Sequence, residues 1–116
     1  MNLLSKISVV NVIGTLCVSA DDGQILHDKI AQHIRSGGRV EVSFAGVETL
    51  ISAFLNAAIG QLYGEFSEDT ISKLLTVDGL AIEDAELLER VEKNAKVYFE
   101  NRRSYDDAWK AEIKDE

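Results

Sequence analysis

Three features of the sequence predict a small α/β domain. Segments rich in β-branched residues alternate with segments whose apolar residues recur every three or four positions. Glycine-bearing turns separate them, at Gly14, Gly23, Gly37-Gly38, Gly46 and Gly79. The length, 116 residues, suits one domain around one core. The element order is strand, strand, helix, strand, helix, strand, helix. That order implies right-handed crossovers and parallel pairing among the later strands. The expected architecture is a mixed sheet of about four strands with an N-terminal hairpin, packed by about three helices, and a short helical tail over residues 104–116.

The first 18 residues carry Ile7, Val9, Val10, Val12, Ile13 and Val18, which read as two strands joined by a tight turn at Ile13-Gly14-Thr15. Asp21 or Asp22 is placed to cap the next helix. Ile25, Leu26, Ile30, Ala31 and Ile34 then give one apolar stripe, predicting a helix near 22–36 that ends at Gly37-Gly38. His27 and His33 fall on its flank and read as solvated surface residues.

Residues 39–44 form the central strand, with Val40, Val42 and Phe44 alternating with Glu41 and Ser43. A helix follows over 52–66, with Leu55, Ala58, Ile59, Leu62 and Phe66 as its core face. Its other face lines up Ala53, Ala57, Gly60 and Gly64. Each glycine inside a helix costs about 1 kcal/mol relative to alanine, so close approach by another backbone must compensate. Residues 71–77 read as a further strand, closed by Asp78-Gly79. The last long helix, over 83–102, carries Leu87, Leu88, Val91, Ala95, Tyr98 and Phe99 as its stripe. Its Glu86–Arg90, Glu89–Lys93 and Glu92–Lys96 pairs mark a solvated face. A tail restarts at Ser104 or Asp106, with Ala108, Trp109 and Ile113 as a short apolar face.

Composition narrows the function. A hydrophobic share of 46% and a charged share of 28% are those of a soluble globular protein, and the cytoplasm is the expected compartment. The net charge of −8 and a single adjacent basic pair, Arg102-Arg103, argue against nucleic-acid and anionic-membrane partners. Cys17 is alone, so it forms no internal disulfide, and a buried inert thiol is expected. No catalytic constellation, phosphate-cradling loop, metal set or cofactor motif stands out, so an enzyme ranks behind a binding module.

Ser19 to Gly23, then Phe44-Ala45-Gly46-Val47, then Ile51-Ser52-Ala53-Phe54 opening a helix that carries Gly60 and Gly64, together resemble a bacterial family of STAS-like domains of uncharacterised function. The resemblance covers about residues 5–103. It implies a STAS-like α/β fold related to anti-sigma-factor antagonists, whose helix-opening serine is phosphorylated by a partner kinase. In the parent motif, Asp-Ser-Ser-Gly, the acidic position is Ile51 here and the usual acceptor position is Ala53. Ser52 is the serine that remains, either as a helix cap or as a phosphoacceptor.

The leading expectation is a non-catalytic regulatory module. It binds a partner protein, such as a GHKL-type kinase or an anti-sigma-like regulator, through the helix that starts at Ser52. The expected contact residues are Ser52, Ala53, Asn56, Ala57, Gly60, Gly64 and Trp109. The alternative is a self-associating structural subunit, a homodimer in the simplest case, of a mobile-element or defence-associated complex. In both readings Trp109, the sole tryptophan, is expected to be buried near the small-residue stripe, by a tail that folds back or swaps onto a second copy.

Overall fold

Three parallel strands carry the fold in a computed structural model, which describes the backbone of residues 4–114 and the side chains of residues 4–102. Strands β1 (Leu4–Ser8), β3 (Arg39–Ser43) and β5 (Leu75–Asp78) lie in the order β1-β3-β5. Their register sets Ile7 beside Val42 and Val42 beside Val77, with Lys6, Glu41 and Thr76 in the neighbouring row. Because side chains alternate, Ile7, Val40, Val42, Leu75 and Val77 share the apolar face. Lys6, Ser8, Glu41, Ser43, Thr76 and Asp78 share the other. A parallel sheet with one polar face departs from the usual burial of both.

The sheet therefore has three strands rather than four, and both pairings in it are parallel. The expected N-terminal hairpin is absent. After Ser8 the chain makes a helical turn, α1 (Val9–Val12), capped by the Ser8 hydroxyl, which accepts from the Asn11 N–H at 3.3 Å. Val9 and Val12, expected in the sheet, lie in that turn, and Val9 is fully buried there. A cap and tertiary burial have overridden the strand preference of a valine-rich run. Strand β2 (Leu16–Cys17) pairs instead with β4 (Thr49–Leu50) in a separate parallel ladder.

Helix α2 (Ala20–Arg35) starts at Ser19, whose hydroxyl accepts from the Asp22 N–H. Ser19 is thus the cap expected of Asp21 or Asp22, and those two acids occupy the first turn, where the helix dipole favours them. The helix ends at Gly37, whose φ of +78° suits glycine. The expected strand over 71–77 begins only at Leu75. Before it, Ser67 caps α5 (Glu68–Leu74) by accepting from the Thr70 N–H at 3.1 Å, and Glu68 and Asp69 fill the first turn. Ile71, buried under that helix, had read as a strand residue because a short apolar run does not reveal its period. Helix α6 (Ile82–Lys114) runs without a break through Ser104, so the expected separate tail helix is its last part. Trp109, like Ala108 and Ile113, lies outside the described side chains.

The core is organised by the helix between β4 and α5. It comprises α3 (Ser52–Leu55), a π-helical turn (Asn56–Gly60) and α4 (Leu62–Glu65). In the turn, the Gln61 N–H reaches back five residues to the Asn56 carbonyl at 3.0 Å. The extra residue divides the small-residue stripe between two neighbours. Ala57 faces α2, where a Cβ on Gly23 would sit 2.5 Å from the Phe54 carbonyl oxygen and 2.8 Å from the Ala57 Cβ. Gly60 faces Val91 and Ala95 of α6, and Gly64 lies under the Phe99 ring. A uniform 3.6-residue period had put Ala57, Gly60 and Gly64 on one side. The π turn is why they are not.

These spacings separate two helix glycines: Gly60, and Gly23, expected in a turn but buried inside α2. Gly23→Ala should destabilise the fold by about 1–3 kcal/mol, because the backbone it meets cannot move aside. Gly60→Ala meets its nearest atoms at 3.6 Å and should be neutral or gain up to about 1 kcal/mol from helix propensity. Urea midpoints of the two variants beside the parent check the contrast.

Candidate protein-binding face

The β2–β4 ladder sits where the chain leaves β3 for the central helix. Gly46 (φ +87°) turns the backbone, and the Val47 N–H closes the turn on the Phe44 carbonyl at 3.0 Å. Gly79 pins the same turn from the other side, since a Cβ there would lie 2.5 Å from the Ala45 nitrogen. Glu48 and Thr49 then donate to the Thr15 carbonyl, and Ile51 to the Cys17 carbonyl. The pairing sets Leu16 beside Thr49 and Cys17 beside Leu50.

Alternation along this ladder sorts its residues. Cys17 and Leu50 point inward and are buried. Leu16, Val18 and Ile51 point outward, 56%, 45% and 38% exposed. The exposed Ser52 and Ala53 continue the surface directly, and Asn56, also exposed, lies one turn on. Ser52 is not the helix cap. Ile51 holds that position, extended at φ −120° and ψ 161°, with no side-chain cap bond at this helix start.

The contact residues expected from sequence thus divide. Ser52, Ala53 and Asn56 are at the surface. Ala57 is half-buried beside Gly23, and Gly60 is buried against α6, so this part of the stripe packs inside the chain. Gly64 is exposed, though a Cβ there would meet the Phe99 ring. Sequence reading missed Leu16, Val18 and Ile51. The signal was the outward–inward–outward order of Leu16, Cys17 and Val18, hidden because β2 was paired with the wrong strand.

Asp21 and Glu48 are exposed beside this face, and no lysine or arginine occurs in residues 7–28 or 40–72. Burial, followed by the Asp22 charge, pushes the Cys17 thiol up from its usual range.

His27 corrects another expectation: it is 4% exposed, not solvated. Its Nδ1 lies 3.1 Å from Asp28 Oδ1 and 3.1 Å from Gln24 Nε2. Its Nε2 is 2.8 Å from Glu65 Oε1, close but without hydrogen-bond alignment. Arg35 completes the set with 2.6 Å to Glu65 Oε2. Hydrogen bonds from His27 and Gln24 hold the Asp28 carboxyl below its usual range. The cluster ties α2 to α4 and is separate from the ladder's outward face. Nearby, the Tyr63 hydroxyl donates to Glu92 at 2.6 Å, and burial together with that carboxylate pushes its pKa up.

A groove of about 370 Å³ between the π turn and α6 is lined by Asn56, Gln61, Asn94, Tyr98 and Arg102, among others. Among the described residues it brings together no acid, histidine or cysteine. Among the described residues no group of three or more His, Cys, Asp and Glu side chains is placed to hold a metal ion. No helix among them is long and apolar enough to cross a membrane.

A parallel sheet, crossover helices and an outward ladder at the start of the central helix define a small α/β domain. Residues 22–85, from the first turn of α2 into α6, match the family described as STAS-like domain of unknown function (DUF4325), and the chain belongs to that family. No curated protein and no solved structure matches it. The match includes β4 and the central helix but not β2, so half of the ladder lies outside it.

The buried thiol gives a direct check on this geometry. In the native protein at pH 8, Cys17 should react with an aromatic disulfide reagent about a hundredfold or more slowly than in urea, because burial lowers both its access and its thiolate fraction. The native rate should climb as pH rises towards the elevated pKa. Prompt stoichiometric labelling of native protein would show that Cys17 does not face the core.

Proposed function

We propose that the protein is a non-catalytic regulatory module that binds another protein through the β2–β4 ladder and the exposed start of the central helix. The observation that carries this reading is the outward cluster of Leu16, Val18 and Ile51, which continues into Ser52 and Ala53. Exposed apolar side chains gathered on one face, with a polar rim, are the usual footprint of a protein interface. Membership of a STAS-like family supports the same reading. By that likeness the partner is a GHKL-type kinase or an anti-sigma-like regulator, met in the cytoplasm.

Ser52 enters this reading as a contact residue. Its exposure makes it accessible, but Ile51 and Ala53 occupy the positions of the acidic residue and the acceptor in the parent motif. A switch by phosphate therefore plays no part in the proposal. Ser52→Asp should leave partner binding within a few-fold of the parent.

Photo-crosslinking in the native host tests the location of the face. A crosslinker at Val18 or Ser52 should trap one discrete protein. The same group at Thr76, on the polar face of the sheet, should trap none. Adducts at Thr76 with none at Val18 or Ser52 would move the interface to the sheet and defeat the proposal.

A further inference from the structure

We propose that the groove between the π turn and α6 binds a small planar ring compound that carries one carboxylate. The inference is independent of the ladder, none of whose residues lines the groove.

Gly60, at the bottom of the groove, is the first observation that carries it. Glycine weakens a helix relative to alanine, and it is kept where a positive φ or a close neighbour demands it. Neither reason applies to Gly60. It is not among the glycines with positive φ, and a Cβ on it would meet Ala95, Val91 and the Asn56 side chain at 3.6 Å, an ordinary contact distance. Gly23 and Gly64 differ, since a Cβ on either would meet an atom at 2.5 Å. The missing methyl group at Gly60 leaves room at the floor of the groove. That floor belongs to a π turn, a distortion that recurs at functional sites.

The walls supply the second observation. Asn56 and Gln61 stand on the central helix, and Asn94, Tyr98 and Arg102 stand on α6. The three α6 residues are four apart in sequence, so they share one face and follow one another in steps of about 6 Å. Among the described residues, the side chains of Asn56, Gln61, Asn94 and Arg102 make no hydrogen bond and no ion pair. Three carboxamides, each a donor and an acceptor, and one guanidinium therefore converge unpaired on the same space.

Charge and shape then define the ligand. The chain carries a net charge of −8, yet no acid is among the described lining residues, and the exposed Glu86, Glu89 and Glu100 of α6 are not part of the lining. Arg102 is the one charge there. A carboxylate balances it and matches its planar fork with two parallel hydrogen bonds. A phosphate monoester brings about two negative charges, more than one arginine offsets on an acidic chain. Tyr98, 55% exposed, is braced by Phe99 at 4.9 Å between ring centroids in an edge-on pair, and it gives a flat ring a surface to stack on. The groove's volume of about 370 Å³ is at the lower end of the range for small-molecule sites.

Heteronuclear NMR on the full chain tests this, with indole-3-carboxylate as the probe and indole-3-carboxamide as its uncharged control. The carboxylate should shift, saturably, the backbone amide signals of Gly60, Gln61 and Ala95 and the side-chain amide signals of Asn56 and Asn94. Signals of Leu16 and Thr76 should stay in place. Replacing the acid by the amide, or Arg102→Gln, should weaken binding about tenfold or more. Gly60→Ala should weaken it several-fold in a protein at least as stable as the parent, which separates filling the floor from damage to the fold. Groove signals that stay in place up to the probe's solubility limit overturn the inference. Equal affinity for acid and amide, or for the parent and Arg102→Gln, also overturns it, because the groove then reads apolar area alone.

Discussion

The central helix is squeezed between two others at distances that only small residues permit, and the rest of the structure depends on that fit. On one side, Gly23 of α2 lies against the Phe54 carbonyl and Ala57. On the other, Gly60 and Gly64 receive Val91, Ala95 and Phe99 of α6. Two interfaces on nearly opposite sides need small residues in two phases, and a regular helix would supply them in one. The π turn at Asn56–Gly60 adds the residue that changes the phase. Ala58, Ile59 and Leu62 are fully buried as a result, and they join the sheet's Val40 and Val42 in one core. The favourable burial of those side chains offsets the propensity lost at the glycines.

That clamp also fixes where the chain can present a surface. The start of the helix is held by α2, so the residues just before it cannot wander. Gly46 and Gly79 fold the preceding turn against the end of β5, and β4 then has little choice but to pair with β2. A two-residue ladder is too short to be stable alone. It exists because a rigid core presents both strands, and its inward residues, Cys17 and Leu50, belong to that core. Among the described residues its outward side chains, Leu16, Val18 and Ile51, stay exposed, and the proposed interface lies there.

The sequence disclosed most of this wherever a segment was long and strongly periodic. Helices α2 and α6 and strand β3 could be read from spacing alone, because their apolar residues repeat over several turns or pleats. Short elements could not. The run from Val9 to Ile13 has strand composition, but the Ser8 cap and burial of Val9 make it a helical turn. Ile71 and Leu74 fit either period, and Ser67 decided for a helix. At the candidate face, Ser52, Ala53 and Asn56 were legible because the family-like motif runs through them. Leu16, Val18 and Ile51 were not, because pairing between residues more than thirty positions apart leaves no local mark. The stripe at Gly60 and Gly64 was legible as a need for close approach, but its occupant, the first half of α6, was not.

A rigid, glycine-clamped helix supports a marginal ladder, the face proposed for binding. Amide hydrogen exchange on the free protein tests this most directly, since it reports the opening free energy of each element separately. Amides of Ala58, Ile59 and Leu62 should exchange only through global unfolding. Those of Thr49 and Ile51, held by single bonds to the facing strand, should exchange many times faster while the helix stays protected. Equal protection of ladder and helix, or a central helix that exchanges by local opening, would contradict the account.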